Sequence, residues 1–140
     1  MREHIGLFRG KRIDNGEWVE GWLVIKKDPL LEITYCFILA YGKGESYVTW
    51  HPVYPTTIGE CTALRDKNGK LIFEGDVLEC KCGLSPSCKV IFNEFCSAFQ
   101  LMTAEGFSDF FLCAFDHTHM EIIGNIHDNP ELLKGGEGDG

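Results

Sequence analysis

A chain of 140 residues, 44% apolar and 12% aromatic, is long enough for one compact domain or two very small ones and too apolar to stay disordered. No apolar run approaches the roughly 18 residues that cross a bilayer, and the N-terminus, MREHIGLFRGKRI, lacks the apolar stretch and cleavage site of a signal peptide; the expected address is the cytoplasm, with no membrane partner. The net charge of −8 is uneven, with ten Lys/Arg against nine Asp/Glu in residues 1–70 and three against twelve in residues 71–140, so the second half repels the phosphates a nonspecific nucleic-acid binder must neutralise.

From the N-terminus, HIGLFRGKRIDNGEWVEGWLVIKK reads as a hairpin turning at Asn15-Gly16, a dipeptide suited to the positive φ angles of a type I′ turn. On its second arm Trp18 and Trp22 share one face, interrupted by Glu20, and Val19, Leu23 and Ile25 share the other. EITYCFILAYG follows as a strand, its β-branched and aromatic residues outweighing a helical reading. In SYVTWHPVYP, Pro52 and Pro55 restrict the segment to an edge or an irregular extended piece.

TTIGECTALRDKNGKLIFEGD holds a second Asn-Gly turn at Asn68-Gly69. Asp66 is placed to accept backbone N–H groups across it. Gly75 before Asp76 marks a bulge or a close approach. DVLECKC then alternates, with Leu78, Cys80 and Cys82 on one face and Val77, Glu79 and Lys81 on the other. CKVIF returns with Cys88, Val90 and Phe92 together. EFCSAFQLMTAEG fits helical spacing but is read as a strand through Phe95, Ser97, Phe99 and Leu101. FSDFFLCAF and HMEIIGNI are two further strands. DNPELL carries a one-turn helix signal, with Asn129 as N-cap and Pro130 at the first helical position, and KGGEGDG is a tail without core residues. About eight or nine short strands and almost no helix make the fold class all-β, a small barrel or sandwich.

Seven cysteines, an odd number in a chain without a secretion signal, argue against a disulfide framework. Cys80, Cys82 and Cys88 form C-x-C-x5-C, a weak metal candidate. The usual zinc knuckle is C-x2-C, whereas C-x-C on a strand sets the thiols about 6–7 Å apart along one face. Packing as small apolar core residues is the better reading, and no metal or cofactor is expected. Asp116, His117 and His119 suit a polar turn better than an acid–base cluster. No nucleophile elbow, P-loop or dinucleotide glycine pattern occurs, which disfavours an enzyme with ordinary motifs. Trp18, Trp22, Trp50, Tyr47 and Tyr54 gather in the first half near Arg9 and Lys11. Arg9, Lys11, Trp18 and Trp22 are therefore weak candidates for a binding surface that could stack single-stranded bases, although such residues more often form a core or a subunit interface.

The blocks FRGKRIDNGEWVEGWL, TIGECTALRDKNGKLIFEGDVL and EIIGNIHDNPELL, in this order, resemble the YopX family of bacteriophage and prophage proteins over about residues 7–133. Phe8-Arg9-Gly10-Lys11, Asn15-Gly16-Glu17-Trp18, Asp66 through Gly69, Glu74-Gly75-Asp76 and Gly124-Asn125-Ile126 carry the likeness. Cys61 stands where the family usually has an aromatic residue, Ala63 where a glycine is common, and CKCGLSPSC lies outside the pattern. The resemblance implies phage or prophage origin, a tendency to self-associate and an SH3-like small barrel in the C-terminal half. It implies no activity and no catalytic residue. The expected layout is an N-terminal β-sheet subdomain over residues 1–70, an SH3-like β-barrel over 71–133 and a disordered tail over 134–140. The expected role is that of a non-enzymatic accessory protein in the bacterial cytoplasm that binds an unidentified phage or host protein and assembles with itself. A nucleic-acid-associated module is the first alternative and a small enzyme of unrecognised type the second. Asn15, Gly16, Asp66, Asn68, Gly69, Gly75 and Asp76 are read as structural turn residues.

Overall fold

The computed structural model describes residues 6–41, 46–80, 87–106, 110–114 and 119–133. Among these the chain is all-β, its strands interrupted only by turns and short 3-10 segments. No helix among the described residues is long and apolar enough to cross a membrane. Contacts divide the chain into two units, Met1–Cys61 and Thr62–Gly140. The expected boundary lay near residue 70. The division falls earlier because the hairpin around Asp66 is tied to the second unit. There the Lys67 N–H donates to the Met120 carbonyl at 2.9 Å, and the Ile122 N–H donates to the Asp66 carboxylate at 3.0 Å.

The first unit is an antiparallel sheet of β1 (Leu7–Lys11), β2 (Trp18–Asp28), β3 (Ile33–Tyr41), β4 (Val48–Pro52) and the start of β5 (Gly59–Arg65), in the order β4-β3-β2-β1-β5. Pro52 does sit on an edge strand, where a missing N–H costs the ladder nothing. Register places Leu7 opposite Trp22 and Lys11 opposite Trp18. The β1–β2 connection is therefore the six-residue loop Arg12–Glu17 rather than a two-residue type I′ turn. Only Gly16 there has positive φ, and the Asn15 side chain instead accepts the Glu17 N–H at 2.9 Å. Cys36, Ile38 and Val53 are buried, with Phe8, Val19, Leu23 and Ile58 packed on them. Val19 and Leu23 thus face the core as their spacing predicts. Ile25 shares their phase but is exposed, because β1 pairs with β2 only over Trp18–Trp22. Among the described residues, β2 and β3 pair from Ile25 and Cys36 to Asp28 and Ile33 as a two-stranded arm.

In the second unit, β6 (Leu71–Phe73) lies beside the later part of β5. The remaining strands, β7 (Asp76–Cys80), β8 (Ser87–Asn93), β9 (Ala98–Thr103), β10 (Phe110–Phe111) and β11 (Met120–Asn125), form an antiparallel sheet in the order β10-β9-β8-β7-β11. This sheet is not closed into a barrel among the described residues. Ile72, Leu78, Cys88, Val90, Leu101, Leu112 and Met120 make its core. Val77 and Leu78, expected on opposite faces, are both fully buried, Leu78 within the core cluster and Val77 outside it, so both faces of β7 are covered there; a register shift between Ile122 and Gly124 falls opposite this pair. β9 is a strand, as read, but it begins at Ala98. Phe95 lies in the preceding turn, with its N–H on the Asn93 side chain at 2.9 Å, and is wholly exposed. Within FSDFFLCAF, the described residues 110–114 hold the two residues of β10 and then a 3-10 turn at Leu112–Ala114. Pro130–Leu133 is also a 3-10 turn, and the Asn129 side chain accepts the Asn125 N–H at 3.3 Å. The tail over residues 134–140 lies outside the described residues.

Candidate functional site

Cross-strand partners share a face, so the register of the first sheet assigns its two sides. Phe8, Val19, Gly21, Leu23, Cys36 and Ile38 point inward. The opposite side collects Arg9 and Lys11 from β1, Trp18, Trp22 and Lys26 from β2, Tyr35, Phe37 and Tyr41 from β3, and Trp50 from β4. Six aromatic rings and three cations thereby stand on one surface. The period of two in WVEGWLVIK and ITYCFILAY is what sorts them.

The rings are organised in local groups. Trp22 and Tyr41 meet edge to face with centroids 6.2 Å apart, and Phe37 and Trp50 do so at 5.5 Å. The Arg9 guanidinium carbon lies 4.7 Å and the Lys11 ammonium 5.7 Å from the Trp18 ring centroid. The Lys26 ammonium lies 4.7 Å from that of Trp50. Such cations are held by the ring quadrupole, about 0.5–1 kcal/mol each at exposed sites. Trp22 remains 49% and Trp50 47% exposed, and Tyr35 and Tyr41 are exposed as well. The candidates Arg9, Lys11, Trp18 and Trp22 therefore lie together. Tyr35, Phe37, Tyr41 and Lys26 complete the surface, and were identifiable in the sequence only once the β2–β3 register was fixed.

The arm ends in a turn, Pro29–Glu32. The Asp28 carboxylate accepts the N–H groups of Leu30 at 2.9 Å and Leu31 at 3.1 Å. Glu32 takes a φ of +53° to close it. These bonds hold two leucines outward, Leu30 91% and Leu31 63% exposed. Beside them lies a shallow cleft of about 350 Å³ lined by Lys26, Lys27, Asp28, Pro29, Leu30 and Tyr35.

In the second unit the turn residues have structural roles. Asp66 Oδ1 accepts the Asn68 and Lys70 N–H groups at 2.9 Å each. Gly69 has φ +80° and Asn68 does not have positive φ. The turn is therefore a three-residue loop closed by a left-handed glycine, not the type I′ turn read from Asn68-Gly69. Gly75, at φ +93°, receives the Ile126 N–H and donates to the Val90 carbonyl. Asp76 is buried and accepts the Phe73 N–H at 2.8 Å.

Of the metal candidates, Cys88 is fully buried in the core. Burial pushes its thiol up, with the Glu105 charge adding to the effect, which opposes the thiolate a metal requires. The Cys80 side chain and all of Cys82 lie outside the described residues, as do Asp116 and His117; His119 is exposed. A second cleft, about 280 Å³, is lined by Thr62, Leu64, Ala98, Phe99, Leu112 and Cys113 and is mainly apolar.

Protein EF1440 from Enterococcus faecalis has a solved structure similar to this chain. The match covers 90% of this chain and 96% of that one, at 25% identity and a TM-score of 0.51. No curated protein matches. The family model described as YopX protein matches residues 7–134, nearly the whole length over which both units are built, and the chain belongs to the YopX family.

Proposed function

We propose that this is a non-enzymatic, phage- or prophage-encoded accessory protein of the bacterial cytoplasm. It acts by binding and works as a homo-oligomer through the outer face of its first unit. The carrying observation is that Trp22, Tyr35, Tyr41 and Trp50 stand exposed on one side of one small sheet. Contiguous aromatic surface of this kind is uncommon on a soluble monomer and characteristic of contact surfaces. Full burial of one such side chain is worth roughly 1.5–3 kcal/mol, so covering several strongly favours association. The −9 balance of residues 71–140 opposes self-contact there. The second unit fits the SH3-like architecture at the level of a short, bulged antiparallel sheet around one apolar core. Sedimentation equilibrium of the full chain at micromolar concentration tests the reading: a mass of two or more chains is expected, and a monomer at every concentration contradicts it.

A second reading is a nucleic-acid-associated module. Its specific support is the placing of Arg9, Lys11 and Lys26 over tryptophan rings on that face. Salt-dependent quenching of tryptophan emission by oligothymidylate supports it; no quenching at low salt removes it.

A further inference from the structure

We propose that Asn68-Gly69 is a spontaneous deamidation site, that the identical pair Asn15-Gly16 is shielded, and that reaction at Asn68 loosens the Asp66 turn from β11. In the reaction the Gly69 main-chain nitrogen attacks Asn68 Cγ. A C–N bond forms, the Cγ–Nδ2 bond breaks, and the Gly69 N–H proton leaves with the amide as ammonia. Water then opens the succinimide ring at either of its carbonyls, which gives an aspartyl or an isoaspartyl residue and a new carboxylate. Nothing is oxidised or reduced. Glycine has no Cβ to crowd the attacking nitrogen, so the two Asn-Gly pairs of the chain are its two candidates.

Both asparagines are exposed. Both glycine N–H groups are engaged, Gly16 on the Arg12 carbonyl at 2.9 Å and Gly69 on the Asp66 carbonyl at 3.0 Å. The side-chain amides differ. Asn15 Oδ1 accepts the Glu17 N–H at 2.9 Å, and Asn15 Nδ2 donates to the Glu17 carboxylate at 3.2 Å. That amide must give up two bonds before its Cγ can reach the Gly16 nitrogen. The Asn68 amide bonds to nothing among the described residues; Asp66 holds only the Asn68 main-chain N–H. Arg65 holds the Gly69 carbonyl at 2.8 Å, beyond the reacting nitrogen. Two fewer hydrogen bonds to break favour Asn68 by at least about fivefold.

The turn that reacts is also a fastening. One Asp66 oxygen holds the Asn68 and Lys70 N–H groups and the other holds the Ile122 N–H, while the Lys67 N–H reaches the Met120 carbonyl. An isoaspartyl linkage lengthens the main chain by one carbon between two N–H groups that share a single oxygen. Either product sets a second carboxylate two residues from Asp66, and like charges disfavour each other's ionised form.

Peptide mapping of the full-length chain, aged in mildly alkaline buffer both folded and in urea, tests this. Chymotryptic peptides separate the two sites, and each conversion shows as the mass gain of a hydroxyl replacing an amino group. In urea the two sites should react at comparable rates. In the folded chain Asn68 should lead Asn15 by at least about fivefold, and the thermal midpoint should fall as Asn68 converts. Asn68→Gln should remove both the early mass gain and the fall in midpoint, because the six-membered ring that glutamine needs closes far more slowly. Equal rates in the folded chain, a faster Asn15, or an Asn68 that reacts only in urea overturns the inference. So does a midpoint that holds steady while Asn68 converts, or one that falls equally in Asn68→Gln.

Discussion

The Asp66 carboxylate accepts three backbone N–H groups, two from its own turn and one from Ile122, fifty-six residues further on. Burial alone would push this carboxyl up. The donors at Ile122, Lys70 and Asn68 outweigh it, with the Lys70 charge assisting, and hold it below the ordinary carboxylate range. A depressed folded value means that Asp66 contributes its full stabilisation above the unfolded value of about 3.9 and loses it as pH falls through the lower folded value. Urea midpoints should therefore drop below about pH 4, and Asp66→Asn should flatten that drop. Asp66→Ala leaves three N–H groups without this acceptor and should cost about 2–4 kcal/mol at neutral pH. Ala63 makes a contrasting case, because it holds φ +65° within β5, a region costing a side-chain-bearing residue about 1–2 kcal/mol. Glycine, common at this position in the family, relieves that strain while adding back some unfolded-state entropy. Ala63→Gly should accordingly raise stability by up to about 1 kcal/mol, read as a higher thermal midpoint; a lower midpoint would show that the strain is not there. The turn role of Asp66 was legible from its place before Asn68-Gly69. Its bond to Ile122 was not, because no local pattern encodes a partner so distant in sequence.

Strand alternation located most elements, since aromatic and β-branched residues at a period of two have few other ways to bury one side. β2, β3, β8, β9 and β11 follow from it, and so does the inward phase of Val19, Leu23, Cys88 and Val90. The pattern does not say how far each face is covered. Val77 and Leu78 are both buried, and the cover over the two faces of β7 comes from residues distant in sequence, which local alternation does not encode. Both Asn-Gly pairs were read as type I′ turns, but each lies in a longer loop with positive φ at the glycine alone. That choice depends on loop length, which register sets. Gly21 shows what strand spacing demands here. A Cβ at Gly21 would collide with the backbone carbonyl of Leu39 on β3, and a carbonyl within a ladder has no room to yield. Gly21→Ala should lower stability by about 1–3 kcal/mol, with slowed exchange protection lost first at the amides of β2 and β3. Unchanged melting and exchange would mean that these strands tolerate a wider separation.

At the scale of the molecule, the first unit turns one side of its sheet inward and leaves the other rich in exposed aromatic rings. The residue types on that outer side, and their placing near Arg9 and Lys11, were legible from the sequence. Their convergence with Tyr35, Phe37, Tyr41 and Trp50 was not, because it depends on how β2, β3 and β4 register. The chain has three tryptophans, and all three stand on this face. Tryptophan emission therefore reports on the proposed contact surface and on nothing else in the protein. The most direct measurement is the emission spectrum and iodide quenching of the wild-type chain, followed from micromolar concentration down to nanomolar. If the face is covered by a second copy, emission is blue and shielded at the high end and turns red and accessible on dilution, along the same curve as the fall in mass. A spectrum and a quenching constant that stay unchanged across the whole range, with the rings accessible throughout, would contradict the account.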